Sequence, residues 1–214
     1  MIAILADIHG NYPALKAVLE DVERIGCEKI ISLGDVAGYY CFINECIEAL
    51  MARKVANVMG NHDHYIVTET DCPRSNSANL CLEHQRSVLS KENLDFLKRS
   101  VCEIKFDDLW MVHGGWENPL DEYLYHVSEE YFSGRAGRFF FSGHTHVQTV
   151  VPLGRQLYCN PGSVGQPRDG DPRAAYALFD GKKVILQRVA YDIAAVGVGM
   201  RAAGFSQRLF PDLV

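Results

Sequence analysis

A chain of 214 residues is long enough to bury one large hydrophobic core. Its 48% apolar and 22% charged residues are ordinary for a soluble globular protein, and a net charge of -6 without any basic run argues against an extended nucleic-acid or anionic-membrane surface. No stretch approaches the roughly 18 apolar residues of a membrane span, the opening "MIAILADIHG" has no basic start and is broken by Asp7, as a signal peptide would not be, and seven cysteines without a CxxC pair predict free thiols in a reducing cytoplasm.

In chain order, "IAILAD" reads as a short buried strand. Asn11 then offers a helix cap with Pro13 tolerated in the first turn, and Leu15, Val18, Leu19, Val22 and Ile25 recur at helical spacing up to Gly26. "KIISLGD" is a second strand, "INECIEALMA" a helix and "KVANVMG" a third strand. This alternation predicts βαβ units with right-handed crossovers and a parallel sheet.

Residues 75–98 read as a helical insertion in two pieces, restarted by Ser90 as a cap. Seven β-rich segments follow, from "CEIKF" to "KVILQRVA", with a short helix expected within 128–136 and a hairpin at Asp180–Gly181. Glycines weaken any helix over 191–202. With no repeat and no linker, residues 1–214 read as one domain.

The polar clusters share one placement. Asp7 and His9 follow the first strand and Asp35 the second; Asn61, His62 and Asp63 follow the third. His113 ends "LWMVHG", and His144 and His146 follow "FFFS". Sites in open α/β sheets form beyond the carboxyl ends of strands, so these strand ends converge on a metal site at which Asn61 points. Imidazole, carboxylate and amide oxygen without thiolate suit manganese first, then iron, zinc, nickel or cobalt, over calcium, magnesium or copper(I). Seven candidate ligands exceed what one ion holds while leaving substrate positions open, so two ions are expected, with an Asp as the natural bridge. Two divalent ions against the carboxylates of Asp7 and Asp35 leave about +2, or about +1 with a bridging hydroxide, a site that attracts phosphate oxygens.

The ordered set D-x-H, G-D, G-N-H-D, H-G and G-H-T-H resembles the calcineurin-like metallophosphoesterases, from Ile2 to about Phe179. "NECIE" and "NPGSVGQPRDGDPRAAY" resemble the small bacterial and archaeal phosphodiesterase-type subgroup. The resemblance implies a four-layer αββα sandwich, with two mostly parallel or mixed sheets flanked by helices. It implies a first metal on Asp7, His9 and His146, a second on Asn61, His113 and His144, and Asp35 as bridge. It implies His62 as the group that meets substrate and protonates the leaving oxygen, with Asp63 orienting or polarising that site.

The implied activity is a phosphodiesterase using a metal-bridging hydroxide. A nucleotide pyrophosphohydrolase acting on dinucleoside polyphosphates is the nearest alternative, then a phosphomonoesterase. A non-catalytic scaffold of the same fold is the alternative of another class, disfavoured by the intact motif set. The loops "VAGYYCFINE" and "GWENP" depart from the subgroup's usual sequences. They make Tyr39 and Trp116 candidate stacking partners for a base, while Arg168, in the "NPGSVGQPR" segment, is a candidate substrate contact. The oligomeric state has no sequence signal.

Overall fold

The computed structural model describes residues 1–206 and residue 209. The first half of the chain is β1 (Ile2–Leu5), α1 (Tyr12–Ile25), β2 (Lys29–Ser32), α2 (Ile43–Ala52) and β3 (Ala56–Asn57). β1 and β2 pair in parallel, as do β2 and β3. The Asn11 side chain caps α1 by accepting from Ala14 N at 3.2 Å, and Gly26 closes it in the left-handed conformation that its missing Cβ permits. β3 is shorter than the expected "KVANVMG". The chain leaves the sheet at Val58, which bridges to Val101, and Met59 N bonds Val101 O.

Directly beyond lies α3 (Asn61–Thr68), a helix whose first turn is the polar cluster after the third strand. It starts because Asp63 at the third position accepts from Gly60 N at 3.3 Å, a capping interaction hidden among metal-type residues. The insertion forms α4 (Asn76–Val88) and α5 (Lys91–Lys98), with Ser90 Oγ accepting from Asn93 N as expected.

The second half holds β4 (Glu103–Phe106), β5 (Leu109–Val112), α6 (Glu129–Phe132), β6 (Phe139–Phe141), β7 (Thr149–Leu153) and β8 (Gln156–Asn160), then β9 (Ala174–Phe179), β10 (Val184–Val189) and α7 (Ile193–Ala202). One five-stranded sheet has the order β10-β9-β1-β2-β3, the other β4-β5-β6-β8-β7. Each is mixed: a parallel centre carries antiparallel strands at one or both edges. α7 forms despite its glycines. Asp192 caps it through Ala195 N, and a Cβ on Gly199 would lie 1.9 Å from the Phe42 ring, so that glycine serves close packing.

The two sheets bury a shared apolar layer, with Ile4, Ile31 and Val58 from one side meeting Met111, Phe139 and Phe141 from the other. α1 to α5 cover the outer face of the first sheet, where Leu15, Val18, Ile47 and Leu82 pack against Leu5, Tyr176 and Leu178. Phe132 of α6 covers the outer face of the second sheet on Phe140 and Tyr158. This is the helix-flanked double-sheet sandwich. Among the described residues no helix is long and apolar enough to cross a membrane.

Candidate metal centre

The parallel strands set the site. β1 ends two residues before Asp7, and β2 ends three residues before Asp35. Asp7 N bonds Gly34 O at 3.0 Å and His9 N bonds Asp35 O at 2.9 Å, so the two post-strand loops run side by side. β5 and β6 deliver His113 and the His144–His146 turn from the other sheet. Among the described residues three groups have ligand atoms within 4.8 Å of one another: Asp7, His9 and His146; His9, Asp35 and His62; and Asp35, His113 and His144. His9 and Asp35 each belong to two of them, and of these only Asp35, with two carboxylate oxygens, has the donors a bridge needs. Asn61 Oδ1 lies 3.1 Å from His113 Nε2. All seven candidate ligands are buried.

The backbone is strained at this cluster. Asp7, His9, Asp35, His144 and His146 are five of the eight described non-glycine residues with positive φ, at 54 to 67°. Each costs on the order of 1–3 kcal/mol and persists only where the surroundings enforce it. Gly60 and Gly143 enforce it by close approach: a Cβ on Gly60 would lie 2.1 Å from Asp35 Oδ1, and one on Gly143 would lie 2.7 Å from Asp7 Oδ2.

The donor set fits divalent cations. His9 Nδ1 bonds Ala37 O at 2.8 Å and His146 Nδ1 bonds Gln166 O at 2.6 Å. A carbonyl only accepts, so both Nδ1 atoms carry hydrogen and both neutral rings present a lone pair at Nε2. Those two Nε2 atoms face each other at 2.9 Å. Two lone pairs cannot bond each other, and burial pushes both rings well below their ordinary range, to about 3 for His9, so neither takes up a second proton, on Nε2, at neutral pH. A cation between them resolves the contact.

The second group repeats the pattern. His113 Nδ1 bonds Leu33 O, and its Nε2 lies 3.1 Å from His144 Nδ1 and 3.4 Å from Asp35 Oδ2. Burial alone would lower His113, but Asp35 and Asp7 outweigh it and bring the ring to about 9. The cluster thus draws positive charge even from a proton. Burial lifts Asp7 to about 7, with Asp35 adding to the rise and His113 opposing it.

The remaining expected residues separate. His62 is buried beside His9, with ring centroids 5.0 Å apart, and its Nδ1 has no hydrogen-bond partner among the described residues. Asp63 does not bond to His62. Its carboxylate accepts from Ala37 N at 2.9 Å and from Gly60 N at 3.3 Å, tying the loop after Asp35 to the start of α3. Tyr39 stands edge-on to His9 at 4.9 Å, and Arg168 donates to the Tyr39 hydroxyl at 3.2 Å, so both sit at the rim. Trp116 is placed elsewhere: its ring packs edge-on against Phe132 and Phe140 in the outer cluster of the second sheet.

Residues 1–183 match the calcineurin-like phosphoesterase superfamily domain. The chain belongs to this family. An uncharacterized protein of Methanocaldococcus jannaschii is 34% identical over 218 residues, covering 90% of this chain and 88% of that protein. The phosphodiesterase YfcE of Escherichia coli is 25% identical over 181 residues, covering 82% of this chain and 84% of the enzyme. The crystal structure of a metallophosphoesterase from Sphaerobacter thermophilus, 33% identical, superposes with a TM-score of 0.86 over 99% of this chain and 97% of that one.

Within this calcineurin-like domain, three residues at the rim escaped the sequence reading. Asp121 Oδ1 lies 3.3 Å from His144 Nε2, out of hydrogen-bond alignment. Arg74 clamps the Asp121 carboxylate through both guanidinium nitrogens, one at 3.0 Å. The Tyr123 ring centroid is 3.9 Å from that of His144. Arg74 and Asp121 are 47 positions apart, and no local pattern links them. The available signal was the run "DEYLY" close after the His113 motif, with two tyrosines at alternate positions.

Proposed function

We propose that the chain is a dinuclear metal-dependent phosphodiesterase. Asp7, His9 and His146 would hold one cation and Asn61, His113 and His144 the other, with Asp35 as the ligand they would share. The observation that carries the reading is the pair of facing imidazole lone pairs, with Asp35 within ligand distance both of His9 and of the His113–His144 pair. Manganese suits the mixed nitrogen and oxygen donors best. Two such ions supply a nucleophile from water at neutral pH and offset the charge of a phosphoryl group.

The protein's own groups do the rest. His62 stands beside the cluster without a partner on Nδ1, free to meet the phosphoester. Burial lowers its pKa, and an arriving phosphate anion raises it again, so the ring takes up a proton as substrate binds and gives it to the departing oxygen. Asp63 positions the two loops that carry Asp35 and His62. Arg168 and Tyr39 form one rim, where a cation and a ring hold substrate beyond the reacting phosphate. The likeness to the phosphodiesterase of Escherichia coli supports a diester over a monoester. A cytoplasmic location accords with cysteines that are all unpaired.

The test is hydrolysis by the manganese-loaded protein of bis-p-nitrophenyl phosphate against p-nitrophenyl phosphate. The diester should be faster, and nucleotide diesters or anhydrides faster still, because binding energy from the base is used at the reacting centre. Preference for the monoester would overturn the diester assignment.

A further inference from the structure

The open aromatic surface beside the metal centre belongs to Tyr123 and Tyr125. The ring of Tyr125 lies 5.7 Å from that of Tyr123 with planes 7° apart. Tyr123 in turn lies 3.9 Å from His144. The two tyrosines are 39% and 58% exposed, while Leu124 between them is buried in the outer cluster with Phe132 and Phe140. The alternation anchors the segment by Leu124 and turns both rings outward together. Two parallel aromatic rings left partly in water offer a flat apolar face that a planar ligand can meet.

The surface is also held in place. The Arg74 guanidinium sits 5.5 Å over the Tyr123 ring while its nitrogens bind Asp121. Glu122 Oε2 accepts from Glu117 N at 2.9 Å, Asn118 N at 3.1 Å and the Tyr131 hydroxyl at 2.8 Å, fixing the residue between Asp121 and Tyr123 as well. A ligand meeting these rings pays little to order them. The same tyrosine–arginine pairing occurs at Tyr39 and Arg168, also 5.5 Å apart, beside His9. The centre is thus flanked by an aromatic ring and a guanidinium on the His9 side and again on the His144 side.

We propose that Tyr123 and Tyr125 are the stacking platform for the nucleobase of a nucleotide phosphodiester whose phosphorus sits at the metal centre. The proposal rests on the phosphodiesterase reading above. From His144 the aromatic surface extends outward in two steps, Tyr123 then Tyr125, on the scale of the sugar that separates a nucleotide's phosphorus from its base. Stacking on an aromatic face accepts every base, so the platform favours nucleotides as a class. It takes the role the sequence reading gave to Trp116, whose ring is committed to packing.

The experiment compares thymidine 5′-p-nitrophenyl phosphate with methyl p-nitrophenyl phosphate, which share a leaving group and differ in the nucleoside. The ratio of their kcat/KM values should favour the thymidine ester. It should fall about tenfold or more in Tyr125→Ala and Tyr123→Ala and be retained in Tyr125→Phe. Equilibrium binding to the manganese-loaded protein supplies a second readout. The advantage of adenosine 5′-monophosphate over ribose 5-phosphate should shrink by a similar factor in Tyr125→Ala. An unchanged ratio in both alanine variants, or equal binding of the two phosphates by the unaltered protein, overturns the platform. If neither ester is hydrolysed, the phosphodiesterase reading fails and the binding comparison alone decides the platform.

Discussion

Asp63 separates a positioning role from a chemical one. It is fully buried, and its two oxygens accept from Ala37 N at 2.9 Å and Gly60 N at 3.3 Å. Asp63→Ala strands two buried backbone donors at about 1–3 kcal/mol each, a loss of about 2–6 kcal/mol. For a domain of this size that lowers Tm by on the order of 10 °C. Asp63→Asn keeps one acceptor oxygen. It also removes a carboxyl that burial pushes up to about 7, so part of the cost returns and its Tm should fall by about half as much or less. The assay is thermal denaturation with manganese present, run beside metal content and rates on aryl diesters of graded leaving-group pKa. The account expects rate, metal content and Tm to fall together, with no dependence on leaving group. An Asp63→Asn protein with unchanged Tm and metal content but a rate loss confined to poor leaving groups would refute the reasoning and make Asp63 part of the proton transfer.

Gly60→Ala places a methyl 2.1 Å from Asp35 Oδ1, so the variant should bind fewer manganese ions by elemental analysis, whereas Gly134→Ala, where no atom lies within 4 Å, should keep them although its positive φ costs some stability. His62→Ala or His62→Gln should keep both ions and lose roughly 10²–10⁴ in rate on poor leaving groups, with a smaller loss on p-nitrophenyl esters; equal losses across a leaving-group series would make His62 an electrostatic contact only. In chelated protein, Asp7 at about 7 and His113 at about 9 hold protons that the unfolded chain, at 3.8 and 6.5, has released. Stability of that form therefore falls as pH rises through these two windows, metal must displace the same protons, and the Tm rise caused by manganese should grow from about pH 6 to about pH 8.5.

The strand ends were legible because an apolar run that stops at a cluster of Asp and His has few other uses. The helix bounded at Ile43–Ala52 matches its apolar spacing, and Asn11, Gly26 and Ser90 act as the caps their chemistry suggests. The start of α3 was not legible, because Asn61, His62 and Asp63 read as site residues and their helical first turn depends on a carboxylate bonding back to Gly60 N. The left-handed φ of Asp7, His9, Asp35, His144 and His146 leaves no mark on residue type; it is imposed by neighbouring loops. Trp116 stands next to a motif loop, but sequence adjacency does not reveal which way a ring turns. Its edge-on packing against the buried rings of Phe132 and Phe140 decides that. Arg74, Asp121 and Tyr123 meet only because the loop between α3 and α4 lies against the loop after β5, a contact between distant segments.

The central claim is that two cations share Asp35. Elemental analysis of the manganese-loaded protein and of Asp35→Asn, each with its diester hydrolysis rate, tests it most directly. The account predicts two ions per chain and turnover in the unaltered protein, and one ion or fewer with turnover abolished in the variant, because the lost charge weakens both sites together. Two tightly held ions in Asp35→Asn, or full turnover by a chain that binds only one, would contradict it.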